Sequence, residues 1–138
     1  MKKLLLLCLA FGGLTSCNKD AADSAATLAG PTWSLQSQVV VTTPKNGGAA
    51  TSSTRPIPIG SFTYAFNADG TFLIIGFGQP SSGTYSYAGT TLSLVSSLVN
   101  GPVPRMLTVT ELTAHKLVTV EKGEDADNLY TDTVTATR

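Results

Sequence analysis

Apolar and small polar residues alternate along residues 61–96, which is the pattern of a β-sheet with one buried face. At the start of this stretch the large side chains share one parity: Phe62, Tyr64 and Phe66. Ala68-Asp69-Gly70 suits a three-residue hairpin loop, and Gly89-Thr90 suits a two-residue loop. The stretch is therefore predicted to form four consecutive antiparallel strands.

These turns also predict how the strands pair. Each predicted pair places an aromatic residue beside a second apolar or aromatic one on the same face, which stabilises a sheet. The pairs are Phe66 with Phe72, Tyr64 with Ile74, Tyr87 with Leu92, and Tyr85 with Leu94. In this register Leu73, Ile75 and Phe77 lie on the opposite face, where they would form an outer apolar stripe.

Alternation on both sides of the central stretch predicts four further strands, at residues 33–41, 105–111, 116–120 and 129–137. In the first of them the inner face is expected to carry Trp33, Leu35, Val39 and Val41. The folded domain shows no convincing helix, so we predict an all-β fold. Eight antiparallel strands can close into an up-and-down barrel, which removes both exposed edges. A two-sheet β-sandwich is the alternative.

The connections between the predicted strands alternate between long and short. The long ones are residues 43–60, 78–83, 97–104 and 122–128, and in a barrel they would share one end. We expect that end to be a mouth and the other end to be closed by tight turns. The longest connection holds Ile57 and Ile59 between prolines, which we interpret as a flap with an apolar underside.

Both ends of the folded domain are expected at the closed end of the barrel. The first strand starts there and the eighth strand finishes there, so Trp33 and Arg138 should be neighbours. A guanidinium over an indole face contributes about 0.5–2 kcal/mol. The pair is predicted to seal the base.

The N-terminal residues have the pattern of a signal peptide. Lys2 and Lys3 precede an apolar run at residues 4–14, which is shorter than the roughly 20 residues that a transmembrane helix needs. Leu14-Thr15-Ser16-Cys17 resembles the lipobox of bacterial lipoproteins. The resemblance implies that residues 1–16 are removed and that Cys17 is acylated. An ordinary signal peptide is the alternative.

Residues 17–29 are rich in alanine, and we interpret them as a tether to a domain at residues 30–138; a short helix ending near Gly30 is the alternative. The two cysteines, Cys8 and Cys17, both precede this domain, so it has no disulfide. Removal of Lys2 and Lys3 leaves seven of the nine basic residues against nine acidic ones. That balance does not predict a nucleic-acid partner.

Few residues have the chemistry of a catalytic or metal site. His115 is the single histidine and lies beside a tight turn, where we expect it to be exposed. The predicted connection at residues 122–128 contains side chains that could offer oxygen ligands to calcium. They are Glu124, Asp125, Asp127 and Asn128, and they lack the spacing of a calcium-binding loop. We predict a solvated hairpin loop there. For the protein as a whole, we predict no metal site, no cofactor and no enzymatic activity.

The candidate ligand-binding residues are the side chains expected to line the barrel and its flap. They are Ile57, Ile59, Phe62, Tyr64, Phe66, Phe72, Tyr85, Tyr87, Tyr130 and Asp132. A barrel of eight strands is wide enough to be filled by side chains or to hold one small ligand, and both remain open here. Asp132 points inward, where its carboxylate needs a partner, or lies at the rim with its charge in solvent.

The order and spacing of several motifs resemble the small lipocalin-like lipoproteins of Gram-negative bacteria. The motifs are Gly30 with Trp33, residues 66–72, residues 83–87, residues 92–94, and the C-terminal Thr-Ala-Thr-Arg. The resemblance covers the mature domain nearly end to end. It implies a lipocalin-like barrel in which Arg138 packs across Trp33, and a lipid anchor in the outer membrane.

From the pattern and the resemblance together, we expect a lipid-anchored envelope lipoprotein that binds a small, partly apolar molecule. Because the anchor precedes the strand that begins at the closed end, the mouth would point away from the membrane. The alternative is a non-enzymatic structural or protein-interaction lipoprotein with a filled barrel. The membrane is the expected partner through the lipid, and the sequence names no protein partner.

Overall fold

The computed structural model describes residues 28–98 and 101–138. The predicted signal peptide, Cys17 and nearly all of the predicted tether lie outside the described residues. Those described form nine β-strands: β1 Thr32–Pro44, β2 Thr51–Pro56, β3 Phe62–Phe66, β4 Thr71–Gly76, β5 Gln79–Ala88, β6 Thr91–Leu98, β7 Gly101–Leu112, β8 Lys116–Glu124 and β9 Asn128–Thr137. Within the described ranges, no helix is long and apolar enough to cross a membrane.

Eight of these strands close into an antiparallel barrel. Strands β3 to β9 follow one another in the sheet, and β1 pairs with both β3 and β9. The fold class predicted from the sequence is confirmed, and the two-sheet sandwich is excluded because the pairing runs around the whole ring. The predicted registers are also confirmed: Phe66 pairs with Phe72, Tyr64 with Ile74, Tyr87 with Leu92, and Tyr85 with Leu94.

Strand β2 lies inside what we predicted to be a long loop at residues 43–60. It pairs with β1 from Ser37 to Thr42, while β3 pairs with the same edge of β1 from Thr32 to Ser34. The prediction missed β2 because all of its residues are exposed. Without a buried face, apolar and polar residues do not alternate along the strand, so the sequence carries no strand signal there. β2 and β3 together act as one interrupted partner of the long strand β1.

The other long connections were predicted too long, because the strands extend into them. Residues 77–78 join β4 to β5, and β8 is separated from β9 by residues 125–127. The sequence argument placed prolines in loops, yet Pro80, Pro102 and Pro104 lie within strands. Each of these prolines lies in a part of its strand that pairs with one neighbouring strand only. The N–H group that proline lacks is therefore not needed for hydrogen bonds to a second strand.

A bulge in β1 changes which side chains of that strand face inward. The pairing of β1 with β9 shifts by one residue between Leu35 and Ser37. Because side chains alternate with a period of two, this shift moves Gln38 to the face that carries Val134. The prediction that Val39 and Val41 share the inner face with Trp33 is therefore wrong.

The closed half of the barrel is filled by a compact apolar core. Its members come from the strand ends nearest the tight turns and are Leu28, Trp33, Leu35, Phe66, Phe72, Ile74, Leu92, Leu94, Leu107, Val109, Leu117 and Ala136. Leu28 is fully buried, and its carbonyl accepts a hydrogen bond from the Trp33 indole at 3.0 Å. The packed domain therefore includes Leu28, two residues before the predicted boundary at Gly30.

Candidate ligand-binding cavity

Above this core, the half of the barrel nearer the predicted mouth contains a partly open cavity of about 470 Å³. This volume lies within the usual range of small-molecule sites, roughly 300–1,000 Å³. The cavity is lined by Leu35, Gln38, Arg55, Pro56, Ile57, Pro58, Phe62, Tyr64, Phe77, Arg105, Asp132 and Val134. The two interpretations that the sequence left open thus apply to different halves, since one half is filled and the other is hollow.

Aromatic rings form one wall of the cavity. Phe62 packs edge-on against Tyr64 with ring centroids 5.7 Å apart, and against Phe77 at 6.3 Å. Tyr64 in turn contacts Phe66, which belongs to the core, at 6.0 Å. The rings therefore run without interruption from the cavity rim to the filled base, and they present an apolar surface to whatever occupies the cavity.

Gly76 makes room for the ring of Phe62. The two residues are paired across β3 and β4, and the ring lies over the glycine. A Cβ atom at position 76 would lie 2.8 Å from Phe62 Cδ2, well inside van der Waals contact. The shape of the aromatic wall thus depends on the missing side chain at Gly76.

Phe77 occupies an unusual backbone conformation at the rim. It has a φ of +49° and is followed by Gly78 at +80°, so both residues of this two-residue turn are left-handed. A bulky residue is disfavoured in this region, and such strain concentrates at functional sites. The Phe77 N–H donates to the Ser61 carbonyl at 2.8 Å, which holds the turn against the adjoining segment.

The position of Phe77 corrects one prediction. We expected it to extend an outer stripe with Leu73 and Ile75, which do lie exposed on the outside. Strand β4 ends at Gly76, so the alternation of the strand no longer determines the direction of the Phe77 side chain. Its ring instead lines the cavity while remaining 70% exposed.

The predicted flap is a tight turn that is bonded to β1. The Ile57 N–H donates to the Gln36 carbonyl at 2.9 Å, and the Gly60 N–H donates to Ser34 Oγ at 3.1 Å. Ile57 faces the cavity as expected, whereas Ile59 is 83% exposed and does not line it. The prediction for Ile59 is wrong because the turn directs successive side chains to different sides.

Polar side chains converge opposite the aromatic wall. Asp132 points inward, and its Oδ2 accepts a hydrogen bond from Gln38 Nε2 at 2.7 Å. Its Oδ1 is buried and has no hydrogen-bond partner among the described residues. The alternative of a rim residue with its charge in solvent is therefore wrong. The bulge in β1 creates this arrangement, since it turns Gln38 toward the interior.

An ion pair stands beside Asp132. Arg105 binds both carboxylate oxygens of Glu121, with its Nε 3.2 Å from Oε1. This hydrogen bonding raises the pKa of Arg105 above its usual value. Glu121 is paired directly with Asp132 across β8 and β9, so Arg105 also offsets the repulsion between two neighbouring carboxylates.

The Tyr64 hydroxyl lies in the field of the same groups. Burial raises the pKa of Tyr64 above its usual value; Arg105 opposes this shift, whereas Asp132 and Glu121 reinforce it. Tyr64 is therefore neutral at physiological pH, and its ring contributes apolar surface beside a polar hydroxyl.

Several predicted ligand-binding residues lie outside the cavity. Phe66 and Phe72 are buried in the core, and Tyr85 and Tyr87 pack against that core. The Tyr85 hydroxyl donates to the Asn67 carbonyl at 2.9 Å, at the closed end. Tyr130 covers Gly123 on the neighbouring strand and does not line the cavity. Of the predicted set, only Ile57, Phe62, Tyr64 and Asp132 line the cavity.

Sequence reasoning missed some residues that do line it. Arg105 could have been found, because it shares the parity of Leu107 and Val109 on the same strand. Gln38 could not, because its inward direction depends on the bulge. Arg55 could not either, because β2 has no buried face to mark its alternation.

The remaining chemical candidates lie in turns of the barrel. His115 is exposed at the turn between β7 and β8. Asp125 Oδ1 accepts the N–H groups of Asp127 and Asn128 at 2.9 and 2.7 Å, which makes this loop a self-bonded hairpin turn. In the part of the chain that the structure describes, no group of three or more His, Cys, Asp or Glu residues could hold a metal ion.

Comparison with known proteins adds little to this description. No protein-family model matches the chain, and no curated protein matches it. The solved structure of a redesigned beta barrel is similar, with 19% sequence identity and a TM-score of 0.36, over 83% of this chain and 94% of that chain. The closed ring of pairing described above is therefore what establishes the fold.

Proposed function

We propose that this chain is a lipid-anchored binding protein of the cell envelope, related to the lipocalin-like lipoproteins, that holds a small, partly apolar molecule in its barrel. The observation that carries the proposal is the cavity of about 470 Å³ above a filled base. Its combination of aromatic surface with a few converging polar groups is the usual composition of a small-molecule site.

The position of the N-terminal end of the described chain supports the orientation. Leu28, the first described residue, packs into the closed end beside Trp33. The cavity is bordered by Phe77 and Pro58, which lie toward the opposite end. A lipid on Cys17 would therefore leave the cavity directed away from the membrane.

The alternative with a filled barrel is less consistent with this geometry, since only the closed half is filled. Leu73 and Ile75 form an exposed apolar pair on the outside, but they are 37% and 39% exposed and remain partly covered. A pair of partly covered apolar residues is smaller than the contiguous apolar patches that mark interaction sites. We therefore favour binding of a small molecule.

Native mass spectrometry of the protein purified from its own host tests ligand binding. We expect a bound small molecule whose mass recurs between preparations and which is lost when Phe62→Ala removes the central ring of the wall. A repeated ligand-free mass under conditions that preserve weak complexes would contradict the proposal. Leu73→Ala, on the outer face, serves as the matched control and should retain the ligand.

Metabolic labelling with palmitate tests the anchor separately. We expect the label to be incorporated into the wild-type chain, to fractionate with the outer membrane, and to disappear in Cys17→Ser. Incorporation that survives Cys17→Ser would contradict acylation at this residue, whatever the cavity binds.

A further inference from the structure

We infer that the ligand of this cavity is an amphipathic amine, with an apolar body against the aromatic wall and an ammonium group bound by Asp132. This inference rests on the proposed function and specifies its ligand. It follows from the unused hydrogen-bonding capacity of Asp132 in a cavity with an aromatic wall.

The first step concerns the hydrogen bonds of Asp132. A carboxylate has about four acceptor positions, whereas Asp132 accepts one hydrogen bond from a neutral amide, at 2.7 Å from Gln38. Its Oδ1 is closed to water and has no partner among the described residues. A buried polar atom left in this state is destabilising unless a further donor satisfies it.

The second step concerns charge. Arg105 is engaged by both oxygens of Glu121, so that pair is internally compensated. Asp132 lies directly across the sheet from Glu121, and Arg105 is close enough to act on it electrostatically. Among the described residues, however, Asp132 forms no ion pair of its own. Arg55 also lines the cavity but is exposed, so its charge is screened by solvent.

The third step concerns what can approach the carboxylate. Asp132 lines the cavity, and the terminal torsion of aspartate is broad, so a modest rotation turns Oδ1 toward the ligand. An ammonium group would form a charge-assisted hydrogen bond there, stronger than the bond that a neutral hydroxyl forms. The apolar body would then lie against the rings of Phe62 and Phe77. The faces of these rings also attract a nearby cation, which favours an amine over a neutral ligand.

Three matched probes test the inference by isothermal titration calorimetry on the full-length chain: 1-naphthylmethylamine, 1-naphthalenemethanol and 1-naphthoate. They share one ring system, small enough for the cavity, and differ in the polar group. We expect the amine to bind about 10- to 100-fold more tightly than the alcohol, and the carboxylate to bind more weakly than both.

Asp132→Asn locates the effect, because it removes the charge while keeping the shape of the side chain. We expect the amine to lose about 10-fold or more in affinity and the alcohol to change by less than threefold. Glu124→Gln removes a carboxylate from an exposed position at the end of β8 and should change neither. Circular dichroism checks that each variant is folded.

The outcomes separate this inference from the proposed function. If the alcohol or the carboxylate binds the wild-type chain as tightly as the amine, a small-molecule site exists but the amine assignment is wrong. Equal losses for amine and alcohol in Asp132→Asn also overturn it. If none of the three probes binds, the amine assignment is contradicted, whereas the proposed function is decided separately by native mass spectrometry. The comparison of probes on the wild-type chain holds even if a variant fails to fold.

Discussion

The guanidinium of Arg138 lies over the indole ring of Trp33, with its Cζ atom 4.4 Å from the ring centroid. The Nε–H of Arg138 also donates to the Ala114 carbonyl in the turn between β7 and β8. The last residue of the chain is thereby joined to the first strand and to a neighbouring turn. This contact seals the base, as the sequence predicts.

Replacing Arg138 should weaken the closed end. We expect Arg138→Ala to lower the free energy of unfolding by about 1–2 kcal/mol, since it removes a cation–π contact and a hydrogen bond. Chemical denaturation with urea measures the change. Arg55→Ala is the control, because Arg55 is exposed and should alter stability by less than about 0.5 kcal/mol. Equal stability of Arg138→Ala and the wild type would show that the contact does not hold the base.

The left-handed backbone at Phe77 predicts that two substitutions differ in stability but weaken binding alike. Asn adopts positive φ more readily than most non-glycine residues. The free energy of unfolding of Phe77→Asn should therefore exceed that of Phe77→Ala by about 0.5–1 kcal/mol, as measured by urea denaturation. Both variants should bind the naphthyl probes more weakly than the wild type, because both lose the ring at the rim. If Phe77→Asn and Phe77→Ala are equally stable, backbone strain at this turn is negligible.

The ring of Phe62 over Gly76 predicts a pair of compensating substitutions. Gly76→Ala should lower the free energy of unfolding by about 1–3 kcal/mol, since the added methyl group overlaps the ring. Adding Phe62→Leu to Gly76→Ala should recover part of that loss, whereas Phe62→Leu alone should be destabilising. A double-mutant cycle by urea denaturation measures the coupling. Additive losses would mean that the ring and the methyl group do not compete.

The hairpin turn at Asp69 predicts a dependence of stability on acid. The Thr71 side chain and backbone donate to Asp69 Oδ1 at 2.6 and 2.9 Å, and these bonds lower the pKa of Asp69. Because the pKa is lower in the folded chain, the resulting stability is present above the unfolded value of about 3.9 and is lost as the pH falls through the folded value. Thermal unfolding of the wild type and Asp69→Asn between pH 7 and pH 2 measures it.

For Asp69→Asn we expect a smaller loss of stability on acidification than for the wild type. Glu111→Gln is the control, since its partner Lys116 is a partly exposed surface residue and this pair should contribute little. An acid dependence that is unchanged in Asp69→Asn would contradict the assignment to this turn.

The sequence by itself determined the strands that have a buried face and the turns that join them. Alternation has a period of two wherever one face packs on a core, and the turn residues at Asp69 and Gly89 set the register locally. The pairs Phe66 with Phe72 and Tyr85 with Leu94 could therefore be predicted without knowledge of the fold. The same parity located both ends of the domain at the base, which brought Trp33 to Arg138.

Only the tertiary structure decided the composition of the cavity. The bulge at Gln36 depends on the partner strand β9, and it reversed the faces of the rest of β1, so Gln38 rather than Val39 meets the interior. Strand β2 exists because β1 extends beyond β3 and offers a free edge, a condition that no pattern within residues 51–56 records. Local alternation describes one strand at a time, whereas a cavity is formed by the relative positions of several strands, and these depend on pairing across the whole barrel.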